Sequence, residues 1–336
     1  MRVAVVRRTG GPEVVTLEDA RQAAPTGDEV LIRVDACGMC GHDQADRMGL
    51  TKISLPAVLG HEVAGTVADV GPKVQRFGTG DRVAMKQFTT CGRCAACLSG
   101  REIQCPQREF NYGGFAEYIV VRESTLLPVP DGVESPAAAV VACAVGTCLQ
   151  ALRRIAKVVP GETVVVTGAG GGLGLHGIQV AAALGARVIA VTTSVAKATQ
   201  LQDFGVDHVV DAAEGDYWRR ILDATDGRGS DVVLDNVGHP SVFSQCFRGL
   251  AHGGRYVFTG QVTGERVGFY PAFVFGKEAV ITGSASTLMS TFVDAMEMVA
   301  DGRVRPVVST YPLDEVVRAF DDLDNRRVFG RAVIVP

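Results

Sequence analysis

Glu162-Thr-Val-Val-Val-Thr-Gly-Ala-Gly-Gly-Gly-Leu-Gly174 is the stretch on which the reading of this chain turns. Val164–Thr167 is a short apolar run of the kind that forms a buried parallel strand. The glycines after it permit a tight turn, a close approach of backbone to ligand, and tight packing of the helix that runs on to about Leu184. The start of such a helix offers unpaired N–H groups and a partial positive charge to a phosphate. Gly168, Ala169, Gly170, Gly171, Gly172, Leu173 and Gly174 are therefore candidate cofactor-binding residues. A glycine-rich turn alone is a weak sign, and the strand before it with the helix after it supplies the specificity.

The same texture continues downstream. Arg187–Val191, Asp231–Asp235, Gly254–Phe258 and Ala279–Thr282 are further short strands, separated by helical stretches. Strands alternating with helices specify a parallel, doubly wound sheet. The end of the second strand bears on cofactor choice. An acid there would bind the ribose 2′-hydroxyl of NAD and repel a 2′-phosphate. This chain has Thr192, Thr193 and Ser194, with Lys197 nearby, a set of hydroxyls and a cation that suits NADP(H) over NAD(H). The competing reading is a solvated loop with no selective role.

Upstream the texture differs. Glu29–Val34 and Val63–Val67 are short apolar runs, with turns at Gly71-Pro72 and Gly78-Thr-Gly80, as in a small β-rich domain. Near Ala137 the apolar spacing becomes helical, and that segment ends near Val159-Pro160-Gly161. A chain of 336 residues suits two domains. The last stretch holds a helix near Thr291–Ala300 and a final strand, Gly330–Val335. We expect residues 1–144 and 283–336 to form the β-rich domain and residues 145–282 the cofactor domain, an α/β architecture.

Composition narrows the function classes. Hydrophobic residues make up 47% and charged residues 21%, the balance of a globular protein with a large core. The net charge of -4 is spread along the chain without a basic tract, which points away from nucleic acid and anionic membranes. Met1–Arg8 lacks the long apolar run of a signal peptide, and the longest apolar stretches, such as Ala137–Val145, fall short of a membrane span. A cytoplasmic location is the expectation.

Nine cysteines are an odd number, which argues against a purely disulfide framework. Cys91, Cys94, Cys97 and Cys105 follow a C-x2-C-x2-C-x7-C spacing. Four thiolates from one loop (about residues 91–105) suit a closed, tetrahedral structural zinc site with no room for substrate. Three other patches carry ligand types: Cys37-Gly-Met-Cys-Gly-His-Asp43, Gly60-His-Glu62 and Val141-Ala-Cys-Ala-Val-Gly-Thr147. Each alone is weak, because a single His or Cys is more often buried structure than a ligand. A Cys2His set would leave zinc the open position that catalysis needs.

Taken together, the cysteine lobe, the three patches and the glycine-rich turn resemble the zinc-containing medium-chain dehydrogenase/reductase (alcohol dehydrogenase) family over essentially the whole chain. The resemblance implies a GroES-like catalytic domain joined to a Rossmann cofactor domain. It implies that Cys40, rather than Cys37, binds the catalytic zinc with His61 and Cys143. Glu62 matches an acid that can approach that metal, or it is only a structural partner. Asp43 matches an acid that orients the ligating imidazole. Two zinc ions per chain follow, one in each cluster. Cys37, Cys148 and Cys246 fit no site and read as buried free thiols.

Two positions depart from the family pattern. His42 stands where a Ser or Thr usually begins a proton relay, and Ala45 stands where a His often follows. Imidazole titrates near neutrality, so His42 can handle the proton itself, or it only packs and hydrogen-bonds. Ala169 replaces the first glycine of the usual fingerprint, as in the quinone oxidoreductase branch. The resemblance implies interconversion of an alcohol and an aldehyde or ketone. The alternative is NADPH-dependent reduction of an activated C=C bond, as in acryloyl-CoA reductases. It also implies a small-molecule substrate and a homodimer or homotetramer built through an edge strand near Ala279–Gly283.

Overall fold

A computed structural model describes residues 1–261 and 264–336. The chain forms two compact units. One comprises Met1–Gly146, Ser286–Gly302 and Pro306–Pro336, and the other Thr147–Ala285 with Arg303–Arg305.

The second unit is built on a six-stranded, wholly parallel sheet. Its order is His208–Asp211, Arg187–Thr192, Thr163–Thr167, Ser230–Asp235, Leu250–Phe258 and Val280–Gly283. Thr163–Thr167 is buried along its whole length, which explains its unbroken apolar run. Helix Gly172–Ala183 follows the glycine-rich turn, and most of it is buried. Val165, Ile189, Val233, Phe243 and Tyr256 meet in one core, where each buried aliphatic side chain contributes about 1.5–3 kcal/mol. The strand order turns back between Thr163–Thr167 and Ser230–Asp235. Doubly wound sheets bind their ligands at such a switch point.

The first unit is organised around the long strand Glu29–Met39. That strand pairs antiparallel with Glu62–Val70, Tyr118–Arg122 and Arg331–Val335. Two registers matter for the site: Gly38 lies opposite Glu62, and Met39 lies opposite Ala332. They bring the end of one strand, the start of a second and a residue close to the carboxyl end of the chain to one place. A short pair, Phe88–Thr89 with Glu109–Phe110, flanks the cysteine-rich loop.

The helical segment expected from near Ala137 to near Val159 is present. Ser135–Ile155 is one helix, long and apolar enough to cross a membrane by length and composition, although most of it is buried. Two stretches of it, Val141–Val145 and Gln150–Ile155, are wound as π-helix. Such widened turns recur at functional sites, and Cys143 sits in the middle of the first.

Candidate active site

Cys40 caps the helix Gly41–Met48 at the end of the long strand. Its backbone N–H donates to Asp43 Oδ2 at 2.8 Å, an arrangement that fixes the chain as it enters the helix. The other oxygen of Asp43 accepts from Gly60 N (3.0 Å) and from His61 Nδ1 (3.1 Å). Gly60 is left-handed (φ 88), and a methyl group there would come within 2.8 Å of Cys37 Sγ and of the Phe115 backbone nitrogen. Only glycine suits that turn. With Nδ1 committed as a donor, His61 keeps Nε2 free as a lone-pair ligand.

Cys40, His61, Glu62 and Cys143 are all buried, and their ligand atoms lie within 4.8 Å of one another. The Cys40 and Cys143 sulfurs are 3.9 Å apart. Two thiolates on one tetrahedral zinc, at Zn–S distances of about 2.3 Å, stand roughly 3.8 Å apart. Both carboxylate oxygens of Glu62 are buried without a hydrogen-bond donor. Thiols, an imidazole and a carboxylate are ligand types that zinc accepts, so the donor set fits zinc both in chemistry and in spacing.

The four groups do not shift alike. The Cys40 thiol is held well below its ordinary value by its contact with Cys143, burial opposing, with help from Arg331 and His61. Cys143 is pushed up by the same contact and by burial. Glu62 is raised to about 7 by burial, which Arg331 only partly offsets. For His61, burial lowers the basicity, yet the Asp43 carboxylate outweighs it and the net shift is upward.

Arg331 escaped the sequence reading. It is buried, with Nε 3.4 Å from Glu62 Oε2 and Nη2 4.0 Å from Cys143 Sγ. It supplies a fixed positive charge that counters the two thiols and the glutamate. The available signal was a single charged residue in the apolar strand Arg331-Ala-Val-Ile-Val335.

His42 stands beside this cluster and is partly exposed. Its ring centre is 5.9 Å from that of His61. Tyr112 Oη donates to the buried Asp46 Oδ2 at 2.7 Å, and His42 Nε2 lies 3.1 Å from the same phenol oxygen. With the phenol proton committed to Asp46, His42 Nε2–H donates to Tyr112. Phe110 packs on both imidazoles, its centroid 4.9 Å from His61 and 5.2 Å from His42. Neither Phe110 nor Tyr112 carried a sequence signal, because both belong to the short strand and loop beyond the cysteine-rich lobe.

In that lobe Cys94 and Cys97 sulfurs are 3.5 Å apart, Cys91 and Cys105 3.6 Å, and Cys91 and Cys97 4.0 Å. Backbone N–H groups of Arg93 and Cys94 pull Cys91 down to about 6, while loss of hydration pushes Cys97 up to about 11. Four sulfurs at these separations form a closed set that could hold one ion. The remaining cysteines, Cys37, Cys148 and Cys246, are buried and form no disulfide.

In the second unit, Gly168 is left-handed (φ 59) and Gly171 caps helix Gly172–Ala183 without a side-chain acceptor. The first N–H groups of that helix are available to an anion. Ala169, in the place of the usual glycine, is fully buried, and its N–H reaches Val191 O at 3.2 Å. Leu173 and Gly174 lie in the first turn of the helix. Thr192 Oγ1 accepts from Ser194 N at 3.2 Å, and Ser194 Oγ caps the next helix by accepting from Lys197 N at 3.4 Å. Thr193 is exposed. The Lys197 side chain runs beside Gly170, where a methyl group would meet its Cδ at 2.6 Å. Asp211 lies across the ladder from Thr192, and its Oδ1 accepts from Ala213 N at 2.8 Å.

Comparison with known proteins agrees with both halves. Residues 26–131 match the alcohol dehydrogenase GroES-like domain family, and residues 172–301 match the zinc-binding dehydrogenase family. The chain belongs to the zinc-containing medium-chain dehydrogenase/reductase family. One member, an acryloyl-coenzyme A reductase from Sulfurisphaera tokodaii, is 32% identical over 327 residues, 95% of this chain and 96% of the relative. Another from the same organism, a NAD-dependent alcohol dehydrogenase, is 33% identical over 335 residues, 95% of this chain and 96% of the relative. The crystal structure of AibC superposes with a TM-score of 0.92 at 39% identity, covering 100% of this chain and 96% of the other. As a medium-chain dehydrogenase/reductase the chain is an oxidoreductase.

Proposed function

We propose that the protein interconverts an alcohol and an aldehyde or ketone, using one zinc ion held by Cys40, His61 and Cys143 and a second held by Cys91, Cys94, Cys97 and Cys105. The observation that carries this reading is the buried two-sulfur, one-nitrogen set beside the buried Glu62. Three ligands leave an ion a place for a substrate oxygen, where four thiolates do not. Bound zinc supplies Lewis acidity, and a bound nicotinamide supplies or takes the two electrons.

The chain's own residues do the rest. Asp43 holds the His61 ring with Nε2 toward the ion. Arg331 balances Glu62, which can move toward or away from the metal as ligands exchange. His42 handles the proton between the site and solvent, its Nε2–H held by Tyr112 and its ring packed on Phe110. The helix start after Gly171 receives the cofactor's pyrophosphate, and Lys197 with Thr193 and Ser194 favours NADP(H). A Lys197→Ala variant should raise KM for NADPH about tenfold and leave KM for NADH unchanged, given the reach of one charge-assisted contact. An equal effect on both cofactors would remove that preference.

A second chemistry, reduction of an enoyl thioester or enone C=C bond, is favoured by the acryloyl-coenzyme A reductase relative and by Ala45 in place of a relay histidine. One experiment separates the two: cofactor oxidation followed in parallel with aldehydes, ketones, enones and enoyl-coenzyme A esters. Turnover of carbonyls that vanishes when the Cys40 ion is removed supports the first reading. Turnover of C=C substrates alone, unmoved by metal removal, overturns it.

The assembly is a homodimer or homotetramer. Val280–Gly283 is an edge strand with an open row of backbone groups. Val280, Phe273 and Phe275 beside it are exposed, an apolar patch of the kind that marks an interface. Light scattering on Val280→Lys should report a smaller particle than wild type.

A further inference from the structure

The cysteine-rich lobe contributes no ligand to the Cys40 cluster, yet one of its side chains reaches out of it. Glu102, three residues before Cys105, accepts a hydrogen bond from Met289 N at 3.2 Å and pairs with Lys86. Met289 opens the helix Met289–Ala300, whose cap residue, Leu288, has no side-chain acceptor to offer. The first N–H groups of a helix lack partners and carry partial positive charge. Glu102 thus caps this helix from a distant part of the chain. Lys86 is almost fully buried, its ammonium 4.5 Å from the centre of the Phe88 ring. Removing Glu102 strips that buried cation of its ion pair, a costly loss.

The loop leading into the same helix is held at a second point, where Ser286 Oγ donates to Gln87 Oε1 at 3.1 Å. Ser286 is left-handed (φ 58), a conformation that persists in a serine when its surroundings enforce it. Between the two anchors sits Thr287, fully buried. Its Oγ1 lies 2.9 Å from where a methyl group on Gly146 would stand. The Gly146 N–H in turn reaches the carbonyl of Cys143 at the end of the π-helical turn. The helix Met289–Ala300 packs on that turn as well. From Glu102 the line thus runs to Met289, back along the chain through Leu288 to Thr287, across to Gly146 and on to Cys143.

We propose that Glu102 is a positioning residue through which the cysteine-rich lobe holds Cys143 in place, so that the lobe sets how tightly the Cys40 cluster keeps its ion. This rests on the zinc reading above.

The measurement is release of zinc from the purified, fully loaded protein to a chelator. The same release from Cys40→Ser, which keeps only the lobe ion, identifies which phase belongs to which cluster. Glu102→Ala should release the Cys40-cluster ion about tenfold faster than wild type, the lower range for an outer contact of a metal site. Glu102→Gln, which keeps an acceptor for Met289 N without the charge, should fall between. Leu126→Ala, a cavity in the core of the same unit, serves as the control for general loosening and should leave the release rate unchanged. Glu102→Ala with both phases at wild-type rates overturns the proposal, as does equal acceleration in Leu126→Ala. Wild type without an ion in the Cys40 cluster overturns the zinc reading and this one with it, whereas two ions and an unmoved rate overturn this one alone.

Discussion

Cys91, Cys94, Cys97 and Cys105 come from one loop, while Cys40, His61, Glu62 and Cys143 come from a strand end, a strand start and a widened helical turn. The local set satisfies its sulfurs with its own backbone: Cys97 N donates to Cys94 and Cys91 N to Cys105, both at 3.5 Å. The dispersed set relies on side chains from elsewhere, Asp43 for His61 and Arg331 for Glu62. The difference teaches that a closed metal knot can be written in a short spacing, whereas a reactive one needs a folded sheet to hold it. The reading proposed above gives stability to the first and reactivity to the second, and four measurements can break or sharpen that division.

The largest effect belongs to the dispersed set. Cys40→Ser should lower kcat about a thousandfold, the equivalent of several kcal/mol of lost charge stabilisation, and zinc content should fall from two ions to one by elemental analysis. Activity within tenfold of wild type would erase the distinction. Next comes the local set. Cys105→Ser should cost about 3 kcal/mol of stability and lower the thermal midpoint by roughly 5–10 °C, well beyond the shift in Cys40→Ser. Equal shifts in calorimetry would mean both clusters are structural.

A third test strips the metal and varies pH. The buried Glu62 carboxyl titrates at about 7 rather than at 4.5. A carboxyl raised in the folded state leaves stability untouched in acid and erodes it as pH climbs from its unfolded value to its folded one. Metal-free wild type should therefore lose about 2 kcal/mol relative to Glu62→Gln between pH 4.5 and 7. A constant gap between the two denaturation profiles would remove Glu62 as a buried charge awaiting a cation.

The smallest effect is a control that owes nothing to metal. Arg255 grips Glu162 with two hydrogen bonds of 2.7 Å, and that pairing holds Glu162 below the usual carboxylate range. A carboxylate depressed in this way stabilises above its unfolded pKa, and the benefit disappears as pH falls through its folded value. Glu162→Gln should cost about 1 kcal/mol at neutral pH and nothing in strong acid, with or without chelator. A chelator-dependent cost would mean that metal loss reaches the second unit.

Much of this was legible in residue order, and the limits have physical causes. The alternation after Glu162 and the turn at Gly168–Gly174 specify the parallel sheet through local pattern alone. All four lobe cysteines lie within a few residues of one another, so spacing exposes them. The dispersed ligands were nameable only through resemblance, because nothing in the vicinity of Cys143 hints at His61. Arg331 went unnoticed since its role depends on the pairing of Ala332 with Met39, a register that hydrophobic pattern does not dictate at such separation.

Strand Arg331–Val335 lies between Glu29–Met39 and Val308–Pro312 in the first unit's sheet, which has a consequence for biosynthesis. A nascent chain leaves the ribosome amino end first, and domains generally mature as contiguous units during that passage. Here the first unit waits for a late strand: the second unit is almost entirely synthesised before Arg331–Val335 emerges to join the earlier sheet. Glu62 stays without its guanidinium counter-charge until Arg331 is made, so maturation of the site waits for synthesis of the whole second unit that precedes that strand.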